Sequence, residues 1–193
     1  MIIKNEYVRG IVSVALLASL ACSPGAPAFA ATTGPETPHE VIKNIGDIVV
    51  YVVPATAFGM TLGARDGPGT TQFLGSAGVT MAVVAGLKYT VKSRRPNGNP
   101  QSFPSGHTAI AVQSAEFLGQ HYGWKYGIPA YVSAAYVGYS RIASREHHPR
   151  DVIAGAAIAF VGAHFMTKPY KGNLFQLQVS DAGTPTLLYS RQF

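Results

Sequence analysis

The sequence predicts an all-α fold: a helical bundle of about five core helices with an active site at one end, followed by a short C-terminal β-hairpin tail. Three observations predict it. Apolar, Gly/Ala-rich segments of helical length recur along the chain, separated by short polar or Gly/Pro-rich stretches. Only the tail alternates apolar and polar residues with the period of two that a half-buried strand requires. Residues able to do chemistry gather at the ends of the apolar segments. The composition agrees with a single packed domain. Of 193 residues, 47% are hydrophobic and 12% charged, about half the roughly 25% charge of an average soluble domain. That balance excludes a disordered or highly solvated chain. The net charge of +6 favours anionic partners such as phosphates, nucleic acid or anionic lipid headgroups.

Residues 1–30 read as a signal peptide. Lys4 and Arg9 make a positive start, Ile11 to Ala21 is an apolar run, and Ala28-Phe29-Ala30 has the small-x-small form of a cleavage site. The run is short for a membrane span; an uncleaved anchor is the alternative. Cys22 is the one cysteine, and Ser19 stands where a lipobox usually has Leu. Cleavage after Ala30 leaves a chain without a thiol, which excludes disulfides, Cys-ligated zinc and thiol catalysis.

Residues 31–46 are expected to be a linker, Thr/Pro-rich at their start. The bundle domain is expected over 47–168, built from Asp47–Ala64, Gln72–Val91, His107–Gln120, Ile128–Ala143 and Asp151–Thr167. Arg65-Asp66-Gly67-Pro68-Gly69, the loop Arg95–Phe103 and His121-Tyr122-Gly123-Trp124 punctuate them. Pro129 suits a helix start, where a missing N–H costs nothing. Small residues in the second segment (Gly75, Ala77, Gly78, Ala82, Ala85, Gly86) permit close helix approach in water or in lipid. In the tail, 169–193, Phe175, Leu177 and Val179 alternate with Gln176 and Gln178 before a turn at Asp181-Ala182-Gly183. Two segments have the length of a membrane span. His107–Gln120 is short and carries Gln113 and Glu116, and Asp151–Thr167 is marginal. Membrane-spanning and soluble bundles both stay open.

Three clusters hold nearly all the unusual residues. Lys88, six residues, then Arg95-Pro96 closes the second helix. Pro104-Ser105-Gly106-His107-Thr108 opens the third. Ser140-Arg141, five residues, His147, three residues, Asp151 bridges the fourth and fifth. Alternating helix direction puts all three at one end of the bundle. Each residue type suits an oxyanion. Lys88, Arg95 and Arg141 supply cationic donors, bidentate in the case of Arg. Ser105 and Gly106 precede a helix whose free N–H groups form an anion site, and a side chain at Gly106 is expected to crowd the approach. Asp151 can hold one nitrogen of His147 and leave the other as a nucleophile. His107 can protonate a leaving oxygen. Acidic residues are scattered, with no carboxylate cluster for magnesium or paired metals.

These motifs, Lys88-x6-Arg95-Pro96, Pro104-Ser105-Gly106-His107 and Ser140-Arg141-x5-His147-x3-Asp151, resemble the three signatures of the type 2 phosphatidic acid phosphatase/vanadium haloperoxidase superfamily. All are complete and in order across roughly a third of the chain. The resemblance implies a helical bundle, a phosphohistidine intermediate and no metal or other cofactor. It assigns His147 as nucleophile, Asp151 as its orienting partner and His107 as general acid, with Lys88, Arg95, Ser105, Gly106 and Arg141 as phosphate ligands. Ser144-Arg145-Glu146 is more polar than the matching stretch of many relatives, and His147-His148 is a doublet; the motif spacing selects His147. The short loop Asn97–Phe103 leaves little room for the large insertions of haloperoxidases.

The expected function is hydrolysis of phosphate monoesters on the exported side of a bacterial envelope, in the periplasm or at the inner membrane with the active site facing the periplasm. Lys168 and Lys171 then fall on the cytoplasmic side. Low charge and Gly/Ala-rich helices tilt the expected substrate towards lipid phosphates or lipid pyrophosphates and the expected partner towards a membrane rather than nucleic acid. A soluble periplasmic nonspecific acid phosphatase is the rival in substrate, and a vanadate-dependent haloperoxidase the rival in chemistry. Arg145, Arg150 and Glu146 read as surface charges or substrate contacts; His121 and His164 read as ordinary structural histidines.

Overall fold

The computed structural model describes residues 37–170 in full, together with the backbone of residues 173–179 and 185–191. The expected signal peptide, the first residues of the linker and the tail turn at Asp181–Gly183 lie outside the described residues. Five helices follow in order: α1 (Pro38–Gly63), α2 (Gly67–Thr90), α3 (Gly106–Tyr122), α4 (Trp124–Ala143) and α5 (Pro149–Met166). The fold is all-α. In the tail, the backbone of Asn173–Val179 pairs antiparallel with that of Pro185–Arg191, Leu177 opposite Leu187.

Three helices start well before the apolar pattern indicates, α2 among them, at Gly67 rather than Gln72. α1 takes in Pro38 to Gly46, which had read as linker. Its start is a reciprocal cap: the Glu40 N–H donates to Thr37 Oγ1, and the Thr37 N–H donates to Glu40 Oε2 at 2.8 Å. Polar residues therefore begin the helix, and hydrophobicity alone misses them. α4 begins at Trp124, just after Gly123 breaks the chain with φ +96°. Pro129 thus sits inside the helix rather than at its start.

α3 is the centre of the bundle and packs against all four other helices. Thirteen of its seventeen residues are buried, which explains its short, polar sequence: its surroundings are protein on every side. Gln113 donates to Ser76 Oγ at 2.8 Å, and Glu116 accepts from Tyr131 and from Gln120 at 3.0 Å. The outer helices bury single stripes, Gly46, Val50, Val53, Ala57 and Thr61 on α1 and Asp151, Gly155, Ala159 and Ala163 on α5. Their opposite faces remain apolar and exposed. The end of the bundle away from the motifs is closed by Asp66, which faces His121 Nε2 at 2.5 Å while His121 Nδ1 meets the Lys168 carbonyl.

Candidate active site

The structure brings the three clusters to one end of the bundle, and the first contact that does so is backbone. The Ser105 N–H donates to the Asp151 carbonyl at 2.9 Å, docking the start of α3 on the start of α5. Gly155 permits this approach, since a Cβ there would lie 2.4 Å from the Ser105 carbonyl oxygen. Ser105 is fully buried and caps α3; its Oγ accepts from the Thr108 N–H at 3.4 Å. Gly106 and His107, the first residues of the helix, have N–H groups without an intrahelical acceptor. A Cβ at Gly106 would make ordinary contacts with Val84, Lys88 and Met81 at 3.8–3.9 Å.

His147 follows α4 in the loop before α5, and its side chain is 3% exposed. Its Nδ1 faces Asp151 Oδ2 at 3.8 Å and makes no hydrogen bond. Asp151 is anchored independently. Its Oδ2 accepts from the Ser102 hydroxyl and from the His148 N–H at 3.0 Å, while Oδ1 has no hydrogen-bond partner. The carboxylate is thus held on the Nδ1 side of the ring by partners other than the ring itself. Burial, then the Arg95 and Lys88 charges, push the His147 imidazole down to about 4, against the opposing pull of Asp151. The side chain of His148 turns away, its Nε2 3.1 Å from the Arg94 carbonyl.

Lys88 and Arg95 act on this ring, and Arg141 acts on that of His107. Lys88 leaves the last turn of α2 and donates to the Gln101 carbonyl at 2.9 Å. Arg95 pairs with Glu146 at 2.5 Å, and Glu146 also meets Lys43 at 3.0 Å. These two cations hold the Glu146 carboxyl below its ordinary range despite its burial. Arg141, 3% exposed, pairs with Asp47 at 2.6 Å. His107 lies across from the same Asp47 oxygen at 3.8 Å and is the exposed histidine of the site. Arg150 reaches Ser93 Oγ at 3.3 Å and stays at the rim. His121 and His164 lie far from the cage, bound to Asp66 and Glu116. Among the described residues, no three His, Cys, Asp or Glu side chains converge as a metal centre requires.

Three contributors were not singled out by the sequence, and a fourth was read differently. Ser102 lies in the loop before the second motif and carries no signal beyond its hydroxyl. Lys43 and Asp47 come from α1, far upstream of the motifs, and only the packing of α1 on α4 brings them here. Glu146 had read as a surface charge or a substrate contact; it is an internal partner of Arg95.

Residues 97–174 match the family model described as the PAP2 superfamily, a stretch that takes in the second and third motifs. A lipid A 1-phosphatase of Porphyromonas gingivalis is 31% identical over 137 residues, which is 67% of this chain and 31% of that protein. The chain thus spans about a third of that relative's length. Among solved structures, Aquifex aeolicus LpxE superimposes with a TM-score of 0.57 at 19% identity, over 80% of this chain and 93% of its own. A transmembrane PAP2-type phosphatidylglycerolphosphate phosphatase from Bacillus subtilis gives 0.54 at 21%, over 84% and 85%. Both show the same helical fold. Motif spacing, matched sequence and shared architecture converge: residues 97–174 of this chain carry a PAP2 superfamily domain, set in the helical fold of the solved members.

Proposed function

We propose that this chain is a metal-independent phosphatase that hydrolyses lipid phosphate monoesters through a phosphohistidine. The observation that carries the reading is His147, buried beside Asp151 and flanked by Arg95 and Lys88, at the end of the bundle where His107 is exposed. In this reading His147 attacks phosphorus in line while Lys88, Arg95, Arg141 and the first amides of α3 stabilise the equatorial oxygens. His107 gives its proton to the leaving oxygen, then as base activates the water that hydrolyses the phosphohistidine. Asp151, held by Ser102, orients the nucleophile.

Two features favour lipid over soluble substrates. α1 and α2 are long and apolar enough to cross a membrane, and their outward faces expose Ile48, Tyr51, Val52, Leu74, Val79 and Val83. An apolar groove of about 770 Å³ runs between α4 and α5. It starts at Thr108, Ile142 and Val152, each next to a motif residue, and continues past Gly138 and Ala156 to Tyr131 and Phe160. An acyl chain of a lipid whose phosphate sits in the cage fits such a lining. Similarity to a lipid A 1-phosphatase supports the same substrate class. In this reading the mature chain sits at the inner membrane with the cage on the periplasmic side, after export directed by residues 1–30.

The test is phosphate release in excess EDTA from detergent-dispersed phosphatidic acid and from p-nitrophenyl phosphate, for wild type and His147→Ala. EDTA-resistant release, preferring the lipid and reduced about 10³-fold or more by the substitution, is the expected result. Release undiminished in His147→Ala overturns the nucleophile. A preference for p-nitrophenyl phosphate favours the soluble acid phosphatase instead.

A further inference from the structure

Arg141 is a buried guanidinium, and such a group is stable only when its donors are satisfied. Apart from a 3.2 Å contact with its neighbour Ser140, its partners come from α1. Its Nη1 donates to Asp47 Oδ1 at 2.6 Å and its Nη2 to the Lys43 carbonyl at 3.0 Å. Gly46 lies between them, and a Cβ there would fall 2.0 Å from Ser140 Oγ and 2.8 Å from Arg141 Nη2. Lys43, Gly46 and Asp47 share one helical face by their i, i+3, i+4 spacing. The first turns of α1 thus form a fitted cradle for one cation of the cage. The same Asp47 oxygen lies 3.8 Å from His107 Nε2. It is the nearest carboxylate to that ring, which also faces Arg141 from α4 and Arg95 and Glu146 from the loops.

We propose that Asp47 is a positioning residue of the phosphatase reaction, seating Arg141 against the phosphate and holding His107 in its protonated form until the leaving group departs. The inference rests on the phosphatase reading above. In the step concerned, the His147 N–P bond forms as the ester P–O bond breaks. The ester oxygen keeps the electron pair of that bond and takes the proton from His107, giving a neutral alcohol and a neutral imidazole. Burial first, then Arg141, disfavours the charged imidazolium, and the Asp47 carboxylate is the largest contribution opposing them. Neutralising Asp47 therefore harms most the reaction that depends most on the proton. An alkoxide leaving group needs it; a nitrophenolate, stable without protonation, does not.

The experiment compares Asp47→Asn and Asp47→Glu with wild type on phosphatidic acid and p-nitrophenyl phosphate, recording kcat, KM and the pH profile of kcat. Asp47→Asn is expected to lower kcat for phosphatidic acid about 10-fold or more, a part of the 10²–10⁴ of a general acid. It is also expected to move the basic limb of the phosphatidic acid profile to lower pH, while p-nitrophenyl phosphate, which loses only the seating of Arg141, is expected to lose less kcat than phosphatidic acid does. Asp47→Glu keeps the charge and is expected to keep the wild-type limb even where kcat falls. Equal losses on both substrates with an unmoved limb would overturn the proposal, as would a Glu variant whose limb moves like that of the Asn variant. Wild-type protein inactive on both substrates would instead sink the phosphatase reading itself, so the two failures are distinguishable.

Discussion

Arg95 and Arg141 each meet a carboxylate of the protein, Glu146 and Asp47, while Lys88 meets the Gln101 carbonyl, so two of the three cations are paired. Pairing of this kind lets several cations share one small volume without unfolding it. His147 shows the cost of the same crowding. Its depression to about 4 keeps the ring neutral well below the usual histidine value of about 6.5. An NMR titration of histidine-labelled protein is expected to show one resonance, absent from His147→Gln, moving at about pH 4. A midpoint at 6 to 7 would contradict it. The sign for stability follows from linkage. The unfolded chain binds this proton first, so His147 erodes stability as pH falls from about 6.5 to about 4 and contributes no such penalty above that window.

The arrangement of the site depends on where helices begin. α3 and α5 start side by side, locked by the Ser105–Asp151 backbone bond, and α1 starts on α4 through Gly46. Gly155→Ala inserts a Cβ against the Ser105 carbonyl, a backbone atom that cannot swing aside. It is expected to destabilise by about 1–3 kcal/mol, read as a lower unfolding midpoint in detergent, and to weaken phosphate release by displacing the anion site. An unchanged midpoint would mean the two helix starts are not rigidly docked. These starts were unevenly legible. Ser105 marks α3 in sequence, because capping chemistry is local, whereas α5 was read from Asp151, two residues past its start at Pro149. The start of α1 was hidden in a polar stretch, and with it the neighbourhood of Asp47.

At the scale of the molecule, a buried polar helix is wrapped by four helices whose outer faces are apolar. Ile128, Val132 and Tyr139 on α4 and Ile153, Val161 and Phe165 on α5 join those of α1 and α2 in facing outward. Full-length protein is expected to need detergent and to float with phospholipid vesicles in a density gradient. Monodisperse behaviour without detergent would place the bundle in water and revive the soluble alternative. Gln113 and Glu116 made α3 look unlike a span when read alone. The wrapping explains it, since a helix shielded by protein needs neither the length nor the apolarity that lipid demands.

The order of helices, the three motifs and their meeting at one end were determined by sequence, because motif spacing and helix alternation are properties of the chain itself. Which carboxylates answer which cations was decided only by the tertiary structure. Asp47 and Arg141 are 94 residues apart, and Ser102 and Asp151 are 49 apart. Such pairs arise from how whole helices pack, through interactions that carry no local pattern, and so no window of sequence contains them.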